Sequence, residues 1–156
     1  MCIVTSDRAL LTPIVMETFD YWTSKVRNRT IPARRDLDPC EIFNLLPWLI
    51  LTDVFDDPLD FRYRLIGTQI VAQARRDLTG KRFSELDHAG PGSTVWTDRV
   101  KVVETRRPVF STPPYCGPKA GIASVSGIHL PLSGDGRTVD MILTAVDFVM
   151  ILKTLG

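Results

Sequence analysis

Apolar residues recur at helical spacing near the start of the chain, at Val15, Phe19, Trp22 and Val26, and mark one face of a helix. Thr12 is placed to cap its free amides, and Pro13 takes the first helical position, where its missing N–H costs nothing. Arg27 to Arg29 put positive charge near the C-terminal end, which the helix dipole favours, and Pro32 closes the segment. The stripe must be buried, either against this protein's own sheet or against a partner chain. After Asp38-Pro39 a short helical turn is expected over 39–44. The pattern then changes. Residues 46–55 are dense in leucine, isoleucine, tryptophan and valine and read as a strand, which Asp56-Asp57-Pro58 breaks. Residues 60–66 alternate, with Phe61, Tyr63 and Leu65 on one face and Arg62 and Arg64 on the other. Their short connection makes the two strands an antiparallel hairpin.

Gly67-Thr68 opens a helix to about Ala74, and Asp77 to Gly80 form a turn. A further helical turn is expected over Phe83 to Leu86, followed by a loop over His88 to Gly92. Ser93 can cap a longer helix that aligns Trp96, Val100 and Val103 and ends before Pro108. Three strands follow, over 109–116, 122–132 and 138–148, with Ser133-Gly134-Asp135-Gly136 as the hairpin turn between the last two. Two strands, a helical block and three strands predict an α+β fold with an antiparallel sheet, because a parallel sheet needs alternating strands and helices.

Composition narrows the class. At 156 residues and 44% hydrophobic content, one domain with a genuine core is expected. Lysine plus arginine (19) nearly cancels aspartate plus glutamate (18), so no overall field points to nucleic acid or an acidic membrane. Local arginine clusters (Arg27, Arg29, Arg34 and Arg35; Arg75 and Arg76; Arg106 and Arg107) read as solvated surface. Cys2, Cys40 and Cys116 are widely separated and form no CxxC pair, which fits reduced thiols. The apolar stretch from Ala9 to Met16 contains Pro13 and lacks a basic leader and cleavage site, and no run is long enough to span a bilayer. A soluble, cytoplasmic protein is expected.

The search for catalytic motifs returns little. Gly80-Lys81 has arginines (Arg75 and Arg82) where a phosphate-binding P-loop requires glycine and serine or threonine. HExxH, GxSxG and GxGxxG are absent. With two histidines, a Ser-His-Asp triad has few ways to form. An enzyme reading rests on Asp53 or Asp140 paired with Tyr63 or His129 as acid–base partners. Both aspartates flank apolar strand positions, where an outward charge is ordinary.

Six pieces in order carry a family resemblance: IPAR at 31–34, Asp38-Pro39, Leu46-Pro47, RYRLIGT at 62–68, DLTGK at 77–81 and LPLSGDG at 130–136. They cover nearly the whole chain after the first helix. The chain resembles the alphaproteobacterial, single-domain branch of the PAS family, departing from it where Ala74-Arg75-Arg76 stands in place of a glycine. The resemblance implies a five-stranded antiparallel sheet with short helices on one face, a pocket between them, and an N-terminal helix. It also places the strand at 46–55 beside the one at 138–148. Residues 1–30 are expected to form a tail and helix, and 31–156 the core. By this likeness Val15, Phe19, Trp22 and Val26 suit a homodimer interface.

The implied function is a stand-alone sensory domain that binds a small molecule or a partner protein without catalysis; the alternative is a small acid–base enzyme using a pocket Asp and His. Candidate pocket residues are Tyr63, Phe83, Trp96, Tyr115 and Met141, with Arg64 and His129 as polar contacts. Arg64 belongs to the RYRLIGT pattern, yet a structural role on a solvated or salt-bridged face, with Asp53 as partner, is the more ordinary one for it. His129 faces away from Ile128, Leu130 and Leu132, toward the pocket or toward solvent. Haem-binding members place a histidine on a pocket helix, and flavin photoreceptors place a cysteine after the second strand. Residues 68–78 hold neither. No cofactor or metal is expected.

Overall fold

In the computed structural model, which describes residues 12–28, 30–112 and 120–150, helix α1 spans Pro13–Lys25. Thr12 caps it through Oγ1 to the Val15 amide. Five strands follow: β1 (Leu49–Phe55), β2 (Asp60–Ile66), β3 (Val109–Ser111), β4 (Ile122–Leu132) and β5 (Met141–Met150). Helices α2 (Thr68–Ala74) and α3 (Thr94–Thr105) lie between β2 and β3. The strands form one sheet of order β2-β1-β5-β4-β3, antiparallel at every pairing. The expected neighbours β1 and β5 are hydrogen-bonded, with Leu51 opposite Leu143.

Some boundaries move for local reasons. β1 begins at Leu49 because Leu46–Trp48, with Pro47 inside, form a 3-10 turn instead. β5 begins at Met141 because Asp135 gathers the preceding loop. Its Oδ1 accepts hydrogen bonds from Ser133 Oγ (2.9 Å) and from the Arg137 and Thr138 amides (both 2.8 Å). Those bonds, the amides first, lower its pKa to about 2. Residues 133–140 therefore make a side-chain-organised loop rather than a tight hairpin. α2 ends with Arg75 in the left-handed region (φ 56°), the conformation that glycine adopts without steric cost.

Both faces of the sheet are covered. On one, Val15, Phe19 and Trp22 of α1 pack on Leu49, Leu51, Ile128, Leu130, Leu132, Leu143 and Ala145. Val15, Phe19 and Trp22 are buried by the protein's own sheet, and Val26 packs against the same cluster. This corrects the dimer face expected of these four residues. The stripe closes the sheet within one chain, because fully burying each large apolar side chain yields about 1.5–3 kcal/mol. On the other face, Ile50, Phe61, Tyr63 and Ile142 meet Ile70 of α2, Phe83 and Val102 of α3.

A one-residue register shift decides what the second strand presents. Leu51 pairs with Leu65, but Thr52 pairs with Tyr63, which leaves Arg64 as the extra residue of a bulge. Beyond the bulge the alternation inverts. Ile66, rather than Leu65, joins Phe61 and Tyr63 on the α2–α3 face, and Leu65 is exposed. The expected Phe61–Tyr63–Leu65 face is corrected accordingly. At the end of β2, Gly67 lies against the 3-10 turn before β1. A Cβ there would fall 2.3 Å from the carbonyl oxygen of Pro47, and the Gly67 amide donates to the Leu49 carbonyl (2.7 Å). The glycine of the RYRLIGT segment is thus a point of backbone contact.

Candidate functional site

The α2–α3 layer does not seat fully on the sheet, and between them lies a cavity of about 600 Å³. Cavities of roughly 300–1,000 Å³ are the size that encloses small-molecule ligands. Its floor is the sheet, with Ile50 of β1, Tyr63 and Ile66 of β2, Val125 and His129 of β4, and Val146 and Phe148 of β5. Its roof is Ile70 and Ala74 of α2 with Val95, Asp98 and Arg99 of α3, and Arg76, Leu78 and His88 close one side. The wall is mainly aliphatic and aromatic, and its polar groups are few.

Three of those groups lie deep. The side chain of His129 is almost wholly buried; its Nδ1 is 2.9 Å from Thr144 Oγ1 on β5, and its Nε2 is 3.9 Å from Asp98 Oδ2. Burial and then the Arg99 charge hold the pKa of His129 well below its usual value. Tyr63 is pushed upward by burial, against the pull of Arg99 and Arg76, and stays a neutral phenol. Arg99 is 3% exposed. Its Nη1 donates to the Val95 carbonyl (3.2 Å), and its Cζ stands 4.8 Å from the centre of the Phe83 ring. Nε has no hydrogen-bond partner. At the side of the cavity, Arg76 Nη2 is 3.0 Å from His88 Nδ1, and burial followed by that charge lowers the pKa of His88.

The sequence-derived candidates divide by position. Tyr63 and His129 line the cavity, from strands β2 and β4 of its floor. Phe83 and Trp96 stand behind the wall in an aromatic cluster. Phe83 packs on Tyr63 (4.4 Å between ring centres) and on Phe61 (5.5 Å), and Trp96 meets Phe61 edge-on (5.0 Å). Arg64 and Met141 are away from it. Arg64 is the exposed bulge residue, 3.5 Å from Asp53 Oδ1, because Arg62 and Arg64 both turn to the Asp53 side of the sheet. Met141 packs with the α1 cluster, since Ile142, not Met141, points to the α2–α3 face. Tyr115 belongs to 113–119, outside the described residues. The two aspartates of the enzyme reading are engaged elsewhere. Asp53 holds Arg62 at 2.9 Å, and Asp140 accepts from the Gly134 amide at 2.7 Å.

Sequence reasoning missed Asp98 and Arg99. Val95, Asp98, Arg99 and Val102 occur at i, i+3, i+4 and i+7, the spacing of one helix face, and Asp98, Arg99 and Val102 are the most buried residues of α3. The spacing was visible; the two charges disguised it, since charged residues normally mark the solvent side.

Among the described residues there is no cluster of three metal-ligating side chains, and no helix is long and apolar enough to cross a membrane. No curated protein matches the chain. Among solved structures it is similar to a sensory box sensor histidine kinase from Vibrio cholerae, at 18% identity and a TM-score of 0.49, over 72% of this chain and 91% of that one. It is also similar to a fungal LOV domain photoreceptor, at 13% identity and a TM-score of 0.49, over 92% of this chain and 99% of that one. The family model for the PAS domain matches residues 11–145. That match runs from α1 into β5, taking in β1 to β4, the first half of β5 and the helices that roof the cavity, and the chain belongs to the PAS domain family.

Proposed function

We propose that this protein is a sensory domain that holds a small, largely apolar molecule between the sheet and helices α2 and α3, and does not transform it. The observation that supports this reading is the apolar-walled cavity of about 600 Å³, bounded by two short helices on one side and the sheet on the other. A molecule there touches α2, α3 and three central strands at once. It can therefore favour one arrangement of the helical layer over another, to the extent that it binds them unequally. Signal output then passes to a partner protein that reads that arrangement.

Native mass spectrometry of freshly purified protein tests it. We expect a mass excess that disappears on denaturation and is absent from Val146→Phe, which fills the cavity at a cost of about 1–3 kcal/mol. The reading fails if wild type is unliganded and no small molecule raises its melting temperature more than that of Val146→Phe.

A second reading is favoured by one contact, the Asp98–His129 pair at 3.9 Å. It would serve a small acid–base enzyme. Turnover of a bound compound that His129→Gln abolishes, while binding persists, would establish it over the first.

A further inference from the structure

We propose that the cavity selects a carboxylic acid with an apolar body, and that Arg99 on α3 is the residue that takes the carboxylate. The inference rests on the ligand-binding reading above and specifies its chemistry.

Arg99 is a buried cation that no described carboxylate contacts directly; the Asp98 charge acts on it from beyond ion-pair distance. The residue is 3% exposed, and among the described residues no carboxylate lies within 4.0 Å of its guanidinium. Asp98, its neighbour in the chain, has its Oδ2 3.9 Å from His129 Nε2. Buried charges are normally paired, because desolvation costs several kcal/mol that a single neutral hydrogen bond does not return. Here one nitrogen, Nη1, is tied to the helix carbonyl of Val95, and Nε has no partner at all. The group lies over the ring of Phe83, which is itself packed on Tyr63 and Phe61. A guanidinium fixed in this way, with its Nε edge unengaged, is pre-organised for the paired N–H···O bonds that a carboxylate accepts.

The rest of the cavity agrees. Its formally charged lining residues are Arg76, Arg99 and Asp98, an excess of one positive charge, while Tyr63 and His129 are neutral. One anionic group is therefore matched, and the remaining surface, including Ile50, Ile66, Ile70 and Val146, matches hydrocarbon. A second charge on the ligand would have no buried cation to meet, which points to a monocarboxylate.

Isothermal titration calorimetry on ligand-free full-length protein tests this, with phenylbutyrate and decanoate each set against its own primary amide. The acid of at least one pair is expected to bind ten-fold or more tightly than its amide. Arg99→Met should erase the difference by weakening the acid ten-fold or more. The comparison within wild type stands even if Arg99→Met does not fold. Equal or tighter binding of the amides overturns the carboxylate assignment and leaves the ligand-binding reading intact. So does a preference for the acid that Arg99→Met retains, which moves the carboxylate to another residue. Failure of all four probes to bind wild type, with no mass excess on the purified protein, overturns both.

Discussion

The indole Nε1 of Trp22 donates a 2.9 Å hydrogen bond to the carbonyl of Pro131, joining the first helix to the fourth strand across 109 residues of sequence. Trp22 is also buried against Leu130, Leu132 and the rest of that sheet face, and it stacks on Phe19. The contact makes α1 a wall of the core. Trp22→Ala should therefore lower stability by about 3–5 kcal/mol, the usual cost of truncating a buried aromatic, with the Pro131 carbonyl left unpaired as well. Urea unfolding measures it. A variant of unchanged stability whose self-association is weakened would contradict this placement of α1.

Gly67 gives the second prediction. Its φ of −63° is ordinary, so the constraint is space, not conformation. The atoms within 2.6 Å of an added Cβ are backbone atoms of Leu46 and Pro47, which no rotamer change can move. Gly67→Ala should cost at least about 1–3 kcal/mol by overpacking, more than the small gain from a stiffer unfolded chain returns. Equal midpoints for variant and wild type in chemical denaturation would refute the close approach.

His129 gives a pH dependence whose sign follows from its burial. In the unfolded chain the imidazole titrates near 6.5, and in the folded protein it stays neutral to well below that value. The unfolded state then binds more protons in the interval between, so this contribution is complete above about pH 6.5 and is lost as pH falls from there toward the folded value. The slope attributable to His129 is at most about 1.4 kcal/mol per pH unit. His88 shifts in the same direction, and the lowered carboxylates Asp60, Asp77 and Asp135 act in the same sense but in a more acidic window. Comparison of wild type with His129→Gln at pH 7 and pH 5 isolates the residue. The variant should lose less stability over that interval, and parallel losses would show that His129 is not held neutral.

Element order and the β1–β2 and β4–β5 pairings were legible in the sequence because they depend on local patterns. Period-two alternation marked β2, helical spacing marked α1, and Ser93 fixed the start of α3, whose side chain accepts from the Trp96 amide at 3.1 Å. The Asp53–Arg62 pair was also foreseeable, since the two residues are cross-strand neighbours once the hairpin forms. Family resemblance added the neighbours β1 and β5, which no local signal could provide.

The interior of the site was less accessible. A bulge is a relation between two strands, so nothing in RYRLIGT alone says that Arg64 is the unpaired residue and that Ile66 replaces Leu65 over the cavity. Met141 was placed on the wrong face for a related reason. In β5 both sets of alternate residues are apolar, because both faces of the sheet are covered, and alternation then carries no information.

The sequence by itself determined which segments form helices and strands, and that α1 must bury its stripe, since hydrophobic periodicity acts within one element. Only the tertiary structure decided what that stripe meets, and that Asp98 and Arg99 turn inward. A charge is expelled to solvent unless distant residues build a place for it, and here that place is made by Phe83, His129 and Thr144, brought together from three separate parts of the chain.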